Sequence, residues 1–162
     1  MPFADILAAN AAYAEHHQPL AGGRALRGLA IVMCIETRID PLTSFGLKLG
    51  DAKIIRNAGA RVTEDVLRGL VIATHALGVN RIALIQHTDC GVAKNTQESL
   101  TTLVETDTGH AVGDFDFMTI GDQIETLHED AQKIRDCELL PAGTEVGEFI
   151  YDVETGLLDE VT

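Results

Sequence analysis

Cysteine is scarce in this 162-residue sequence: there are three, at positions 34, 90 and 137. An odd, sparse set makes a poor disulfide framework and suits metal binding in a reducing compartment. Basic residues are few, 12 Lys plus Arg against 25 Asp plus Glu, for a formal charge of −13. Such a surface repels nucleic acid and anionic lipid, so neither is an expected partner, although a locally positive pocket is still allowed. No segment reaches the roughly 18 apolar residues of a membrane span. The N-terminus has no charged region leading into an apolar one, since Asp5 and Glu15 interrupt it, and a cytoplasmic protein is expected. Internal repeats and low-complexity segments are also missing.

Apolar residues make up 46% of the chain, enough for one domain with a sizeable core. Residues 3–16 read as a short Ala-rich helix, too weakly amphipathic to stand without a partner surface, closed by His16 and His17 at its negative end. A Gly/Pro-containing linker follows, so residues 1–22 are expected to form an arm and residues 23–162 a single α/β domain. Within that domain the pattern predicts strands over 27–33, 52–56, 81–86 and 148–153, with a possible last strand over 157–161. It predicts a brief helix from Asp40-Pro41, a helix over 63–77 capped by Thr63, a helix opened by an Asn95–Glu98 capping pair and ending near Glu105, and an amphipathic helix over 119–136. Residues 107–118 read as a surface loop. Strands alternating with helices imply a mostly parallel sheet flanked by helices, with functional groups beyond the carboxyl ends of the strands.

Two such ends carry metal-binding chemistry. The apolar run Ile82-Ala83-Leu84-Ile85 leads into His87 and Cys90, an imidazole and a thiol three residues apart. Another apolar run, Leu29 to Met33, ends in Cys34. If these strands are neighbours, Cys34, His87 and Cys90 close on one ion. Three protein ligands with a fourth position open is the pattern of catalytic zinc. His75, His110, His128 and Cys137 lie on or beside predicted helices and loops and are expected to stay outside the chemistry. Asp89 sits among the ligands without an evident role.

Three motifs occur in order: Cys34-Ile35-Glu36-Thr37-Arg38, Arg56-Asn57-Ala58-Gly59 and His87-Thr88-Asp89-Cys90-Gly91. Together they resemble the β-class carbonic anhydrases, most closely the short bacterial members. The resemblance implies Zn2+ held by Cys34, His87 and Cys90, and reversible hydration of carbon dioxide to bicarbonate. It also implies catalytic roles for Glu36 and Arg38. A homodimer, or an oligomer of dimers, is implied as well, with the N-terminal helix wrapped on the neighbouring subunit. The family pattern has Asp where Glu36 stands. A carboxylate there can accept a hydrogen bond from the attacking hydroxide and orient it, while the arginine keeps that carboxylate ionised and turned from the metal. Glu adds one methylene, about 1.5 Å, and misplacement by about 1 Å can cost roughly a hundredfold in rate. The longer arm can pair with Arg38, ligate zinc, or be accommodated by a shift of the loop. Two other functions fit the same ligands: a zinc hydrolase of carbonyl sulfide or carbon disulfide, and a catalytically silent zinc-binding regulator. A thiol-redox role for Cys90 lacks the Cys-x-x-Cys that would support it.

Overall fold

The computed structural model describes residues 2–162 and is organised around five strands: β1 (Leu29–Cys34), β2 (Ala52–Asn57), β3 (Arg81–His87), β4 (Glu145–Tyr151) and β5 (Leu158–Glu160). Their order across the sheet is β2-β1-β3-β4-β5. The first four are parallel, and only β5 runs antiparallel, against β4. β1 is an interior strand, paired on both sides and buried along nearly its whole length, which is why it reads as an uninterrupted apolar run rather than an alternating one.

Among the described residues, α1 (Ala4–Ala14) precedes the sheet, and α2 (Pro41–Ser44), α3 (Glu64–Ala76), α4 (Gln97–Thr108) and α5 (Gln123–Arg135) lie between strands. Val66, Leu70 and Ala73 of α3, with Leu127, Ala131 and Ile134 of α5, pack against Ala30, Val32, Ile82 and Leu84 on one face of the sheet. The opposite face presents Ile31, Met33, Ile85 and Tyr151, which are covered by Ile39, Leu42, Phe45 and Leu47 from α2 and its flanks. Both long helices on the sheet therefore lie on the same side. No helix among the described residues is long and apolar enough to cross a membrane.

Local chemistry accounts for most element ends. The Thr63 hydroxyl accepts from the Val66 amide, as the sequence leads one to expect, and Asp40 caps α2 through the Leu42 amide with Pro41 at the first helical position. The start of α4 differs from the expected Asn95–Glu98 pair. The reciprocal capping box is Thr96 with Ser99, one residue later, because the Asn95 side chain is engaged in donating to the Gly91 carbonyl. α4 continues to Thr108, beyond Glu105, and stops where Gly109 turns left-handed at φ 71°. α5 begins at Gln123 rather than near 119, because Asp122 caps it; Ile120 is still buried, but in the loop before the helix. β4 spans 145–151 rather than 148–153. α1 buries none of its residues, and Phe3, Ile6, Leu7 and Tyr13 are all exposed.

One buried ion pair ties the segment after β2 to α5. Asp130 has no exposure and accepts from Arg61 Nε at 2.6 Å, the Val62 amide at 3.2 Å and Lys133 Nζ at 2.6 Å. Arg61 also donates to the carbonyls of Met118 and Thr119, which fixes the loop leading into α5. Removing the carboxylate strands a guanidinium in the interior. Asp130→Ala is expected to lower the unfolding free energy by about 3–5 kcal/mol, measured by urea denaturation. A loss below about 1 kcal/mol, as for an exposed pair, would mean that the contact is dispensable.

Candidate metal centre

The carboxyl ends of β1 and β3 meet because these strands pair in parallel, with Met33 opposite Ile85. One residue on, Cys34 ends β1, and His87 ends β3. The turn after β3 reverses at Asp89, whose φ of 58° is left-handed, and brings Cys90 back beside His87. One donor atom from each of Cys34, His87 and Cys90 lies within 4.8 Å of the others, and all three residues are buried.

The surroundings orient these donors. His87 Nδ1 donates to the Thr88 carbonyl at 2.7 Å, which leaves Nε2 unprotonated in the neutral ring. Nε2 is buried and has no hydrogen-bonding partner. The His87 carbonyl accepts from Gln123 Nε2 at 2.9 Å, and the Thr88 amide donates to the Tyr151 carbonyl at 2.9 Å, so the backbone that carries the ring is braced from α5 and from β4. The Gly59 amide donates to Cys34 Sγ at 3.3 Å. Gly59 reaches that position at φ 76°, and a Cβ on it would come within 3.2 Å of Ile120 and 3.3 Å of Val92.

The two sulfurs act on each other's acidity in opposite directions. Cys34 is pushed up by its hydrogen bond to Cys90 and by burial, while Cys90 is drawn down by accepting that bond and by His87 and the amides of Ala93 and Val92. Burial alone would lower the His87 pKa, but the Cys90 sulfur and the Thr88 carbonyl outweigh it, and the net displacement is upward. Two cysteine sulfurs and an orphaned imidazole nitrogen form a soft donor set that fits zinc and, as three ligands, would leave a fourth position for a small molecule.

Glu36 stands beside this cluster, with Oε2 4.0 Å from His87 Nε2. Of the three arrangements open to it, it adopts the pairing with Arg38. Oε1 accepts from Arg38 Nε and from the Arg38 amide, each at 2.9 Å, and Oε2 accepts from Arg38 Nη2 at 2.7 Å. The guanidinium draws the Glu36 pKa down to about 2. Arg56 holds the loop itself, donating to the carbonyls of Cys34, Glu36 and Ile39. Two features were not legible beforehand. Asp89 binds Arg38, and Arg56 anchors the loop by its side chain; the latter arginine was visible only as part of a motif.

The cleft over the site, about 310 Å3, is lined by Ile35, Ala58 and Val92 as well as the donors and Glu36. Other clefts are as large, including one of about 400 Å3 beside Leu20 and Leu26, so it is the donor set and not size that marks this one. His75, His110, His128 and Cys137 take no part in it. His75 binds the Leu139 carbonyl, and His128 binds Glu148.

Residues 29–138 match the carbonic anhydrase family. The chain is 34% identical over 158 residues to beta-carbonic anhydrase 1 of Mycobacterium tuberculosis, covering 98% of this chain and 96% of that protein. The crystal structure of carbonic anhydrase from Streptococcus mutans superposes with a TM-score of 0.93 at 37% identity, covering 100% of this chain and 98% of that one. A carbon disulfide hydrolase of Acidianus is 36% identical, but over 74 residues, 46% of this chain and 36% of the relative. The donors meeting past β1 and β3, the sheet that carries them and these full-length likenesses agree: the chain belongs to the β-carbonic anhydrase family.

Proposed function

We propose that the protein catalyses the reversible hydration of carbon dioxide to bicarbonate, with zinc held by Cys34, His87 and Cys90. The observation that carries this reading is the buried, unpartnered His87 Nε2 facing two sulfurs, with a fixed carboxylate alongside. When bound, zinc supplies a Lewis acid that brings the pKa of water towards about 7. Two thiol ligands would make that effect weaker than three imidazoles would, so the protein's own groups matter more. Glu36, ionised and held from two sides by Arg38, accepts a hydrogen bond from the nucleophile and aims it. Ile35, Ala58 and Val92 offer the apolar wall against which an uncharged linear substrate rests. Both Glu36 oxygens are occupied by Arg38, which supports an orienting role and speaks against a fourth ligand.

Carbonyl sulfide and carbon disulfide would be attacked in the same way, and the partial likeness to a carbon disulfide hydrolase keeps them as the second substrate class. The exposed apolar side of α1 supports an arm laid on a second copy of the chain. The free thiols suit a reducing compartment.

Zinc-loaded protein is expected to accelerate hydration in a stopped-flow assay and to release sulfide from carbonyl sulfide more slowly. The reverse order would favour the second substrate class. Cys34→Ser and Cys90→Ser are each expected to drop zinc well below one ion per chain by elemental analysis and to abolish hydration. Glu36→Gln should keep zinc and lose about a hundredfold in kcat. Glu36→Asp should give no gain; a rise of about tenfold, or 1.4 kcal/mol, would show that the native residue restrains an otherwise competent site, whereas zinc-loaded native and Glu36→Asp proteins that are both inactive would favour the silent reading. Ile6→Asp with Leu7→Asp should shift the protein from dimer to monomer in sedimentation velocity.

A further inference from the structure

Arg38 leaves 46% of its side chain open to solvent, and Glu36 engages only its Nε and Nη2 edge. Its other end is occupied. Arg38 Nη1 donates to Asp89 Oδ2 at 2.7 Å, and Nη2 reaches the Asp89 carbonyl at 3.3 Å. The second Asp89 oxygen, Oδ1, is taken by Lys94 Nζ, so the Asp89 carboxylate is itself prevented from turning away. The guanidinium thus lies clamped between two carboxylates that come from different parts of the chain: Glu36 from the loop after β1, and Asp89 from the turn after β3. We propose that Asp89 is a positioning residue, which fixes Arg38 from the side opposite Glu36 and so sets where the Glu36 carboxylate stands relative to His87.

The placement of Asp89 makes this coupling specific. It lies between His87 and Cys90, in the left-handed residue that closes the ligand turn. Whatever it holds is therefore referenced to the metal donors and not merely to the Glu36 loop. Charge-assisted hydrogen bonds from one planar fork to two acceptors restrict both the rotation and the tilt of the guanidinium. Glu36 presents both of its oxygens to that fork, so a tilt of Arg38 moves the carboxylate with it. A displacement of about 1 Å is enough to matter for rate.

The kinetic part of the test rests on the carbon dioxide reading; the structural part does not. Asp89→Gly and Asp89→Asn both tolerate φ 58°, which leaves the ligand turn in place. In nitrogen-15 spectra the Arg38 Nε–H is expected to exchange slowly with water in the native protein. Exchange should be about tenfold faster in Asp89→Gly and intermediate in Asp89→Asn, where an uncharged acceptor remains. With zinc bound at one ion per chain, Asp89→Gly should lower kcat by about tenfold and leave KM within about twofold. In a Glu36→Gln background the same change should alter kcat by less than about twofold, because Asp89 acts through Glu36. Unchanged Nε–H exchange would overturn the proposal. So would an equal loss of kcat in both backgrounds, or loss of zinc from Asp89→Gly, which would assign Asp89 to the folding of the turn. If the native protein holds zinc yet does not hydrate carbon dioxide, the functional reading fails, and Nε–H exchange alone decides the role of Asp89.

Discussion

The site depends on the register of two parallel strands. β1 pairs with β3 so that Met33 stands opposite Ile85, which places Cys34 and His87 at the same edge of the sheet with their donors converging. Side chains alternate between the faces of a strand, so a slip of one residue would send Cys34 to the opposite face and bring Met33 into its place. The apolar residues enforce the register from both sides. Val32 and Leu84 face α3 and α5, while Ile31, Met33 and Ile85 face the cover provided by α2 and its flanks. Because neither face of β1 is polar, a slip would not expose a charge. What resists it is the close fit of large side chains on both sides, since packed interiors respond to changes of even one methylene.

Beyond the strand ends, backbone in uncommon conformations completes the geometry. Gly59 and Ala60, at φ 76° and 56°, curl the segment after β2 so that an amide points at Cys34 Sγ. Asp89 at φ 58° folds Cys90 back towards His87, and Met118 at φ 52° turns a carbonyl towards Arg61. Non-glycine residues in this region cost of order 1–3 kcal/mol each and persist where the surroundings over-determine them. Here the surroundings are hydrogen-bonding side chains. Arg56 takes three carbonyls of the loop after β1, Arg61 takes two from the loop before α5, and Gln123 takes the carbonyl of His87. Among the three donors this bracing leaves the Nε2 of His87 buried and unpartnered, close to the sulfurs of Cys34 and Cys90.

The parts that could be read from the sequence are those encoded by local pattern. β1 and β3 announce themselves as apolar runs, α3 by its spacing and its Thr63 cap, and Cys34, His87 and Cys90 by standing at strand ends. The cap of α4 fell one residue away from expectation because Asn95 is the better cap by residue type, and only the folded turn shows that its side chain is bound to Gly91, which leaves Thr96 to cap. The start of α5 shifted for a related reason: Ile120 continues the apolar period although it packs from a loop. Contacts between residues far apart in sequence, such as Arg61 with Asp130 and Arg38 with Asp89, have no local signature at all. A buried arginine and an exposed one look alike until the partner is known.

Glu36 stands where the resemblance leads one to expect the shorter Asp, and its contacts show how a longer carboxylate fits the loop. A carboxylate at this position has to meet Arg38, two residues on, and it does so by accepting from the Arg38 backbone amide as well as from the guanidinium. A side chain accepting from the amide two residues ahead is the habit of Asp and Asn in turns. Glu makes the same contact here, and both of its oxygens are engaged within the segment by Arg38. The loop can accept that contact because its carbonyls are pinned by Arg56 and not by the carboxylate itself. Chain length at residue 36 is thereby separated from the path of the backbone. The position of the carboxylate then depends on the orientation of the guanidinium, which is bound on one side by Glu36 and on the other by Asp89.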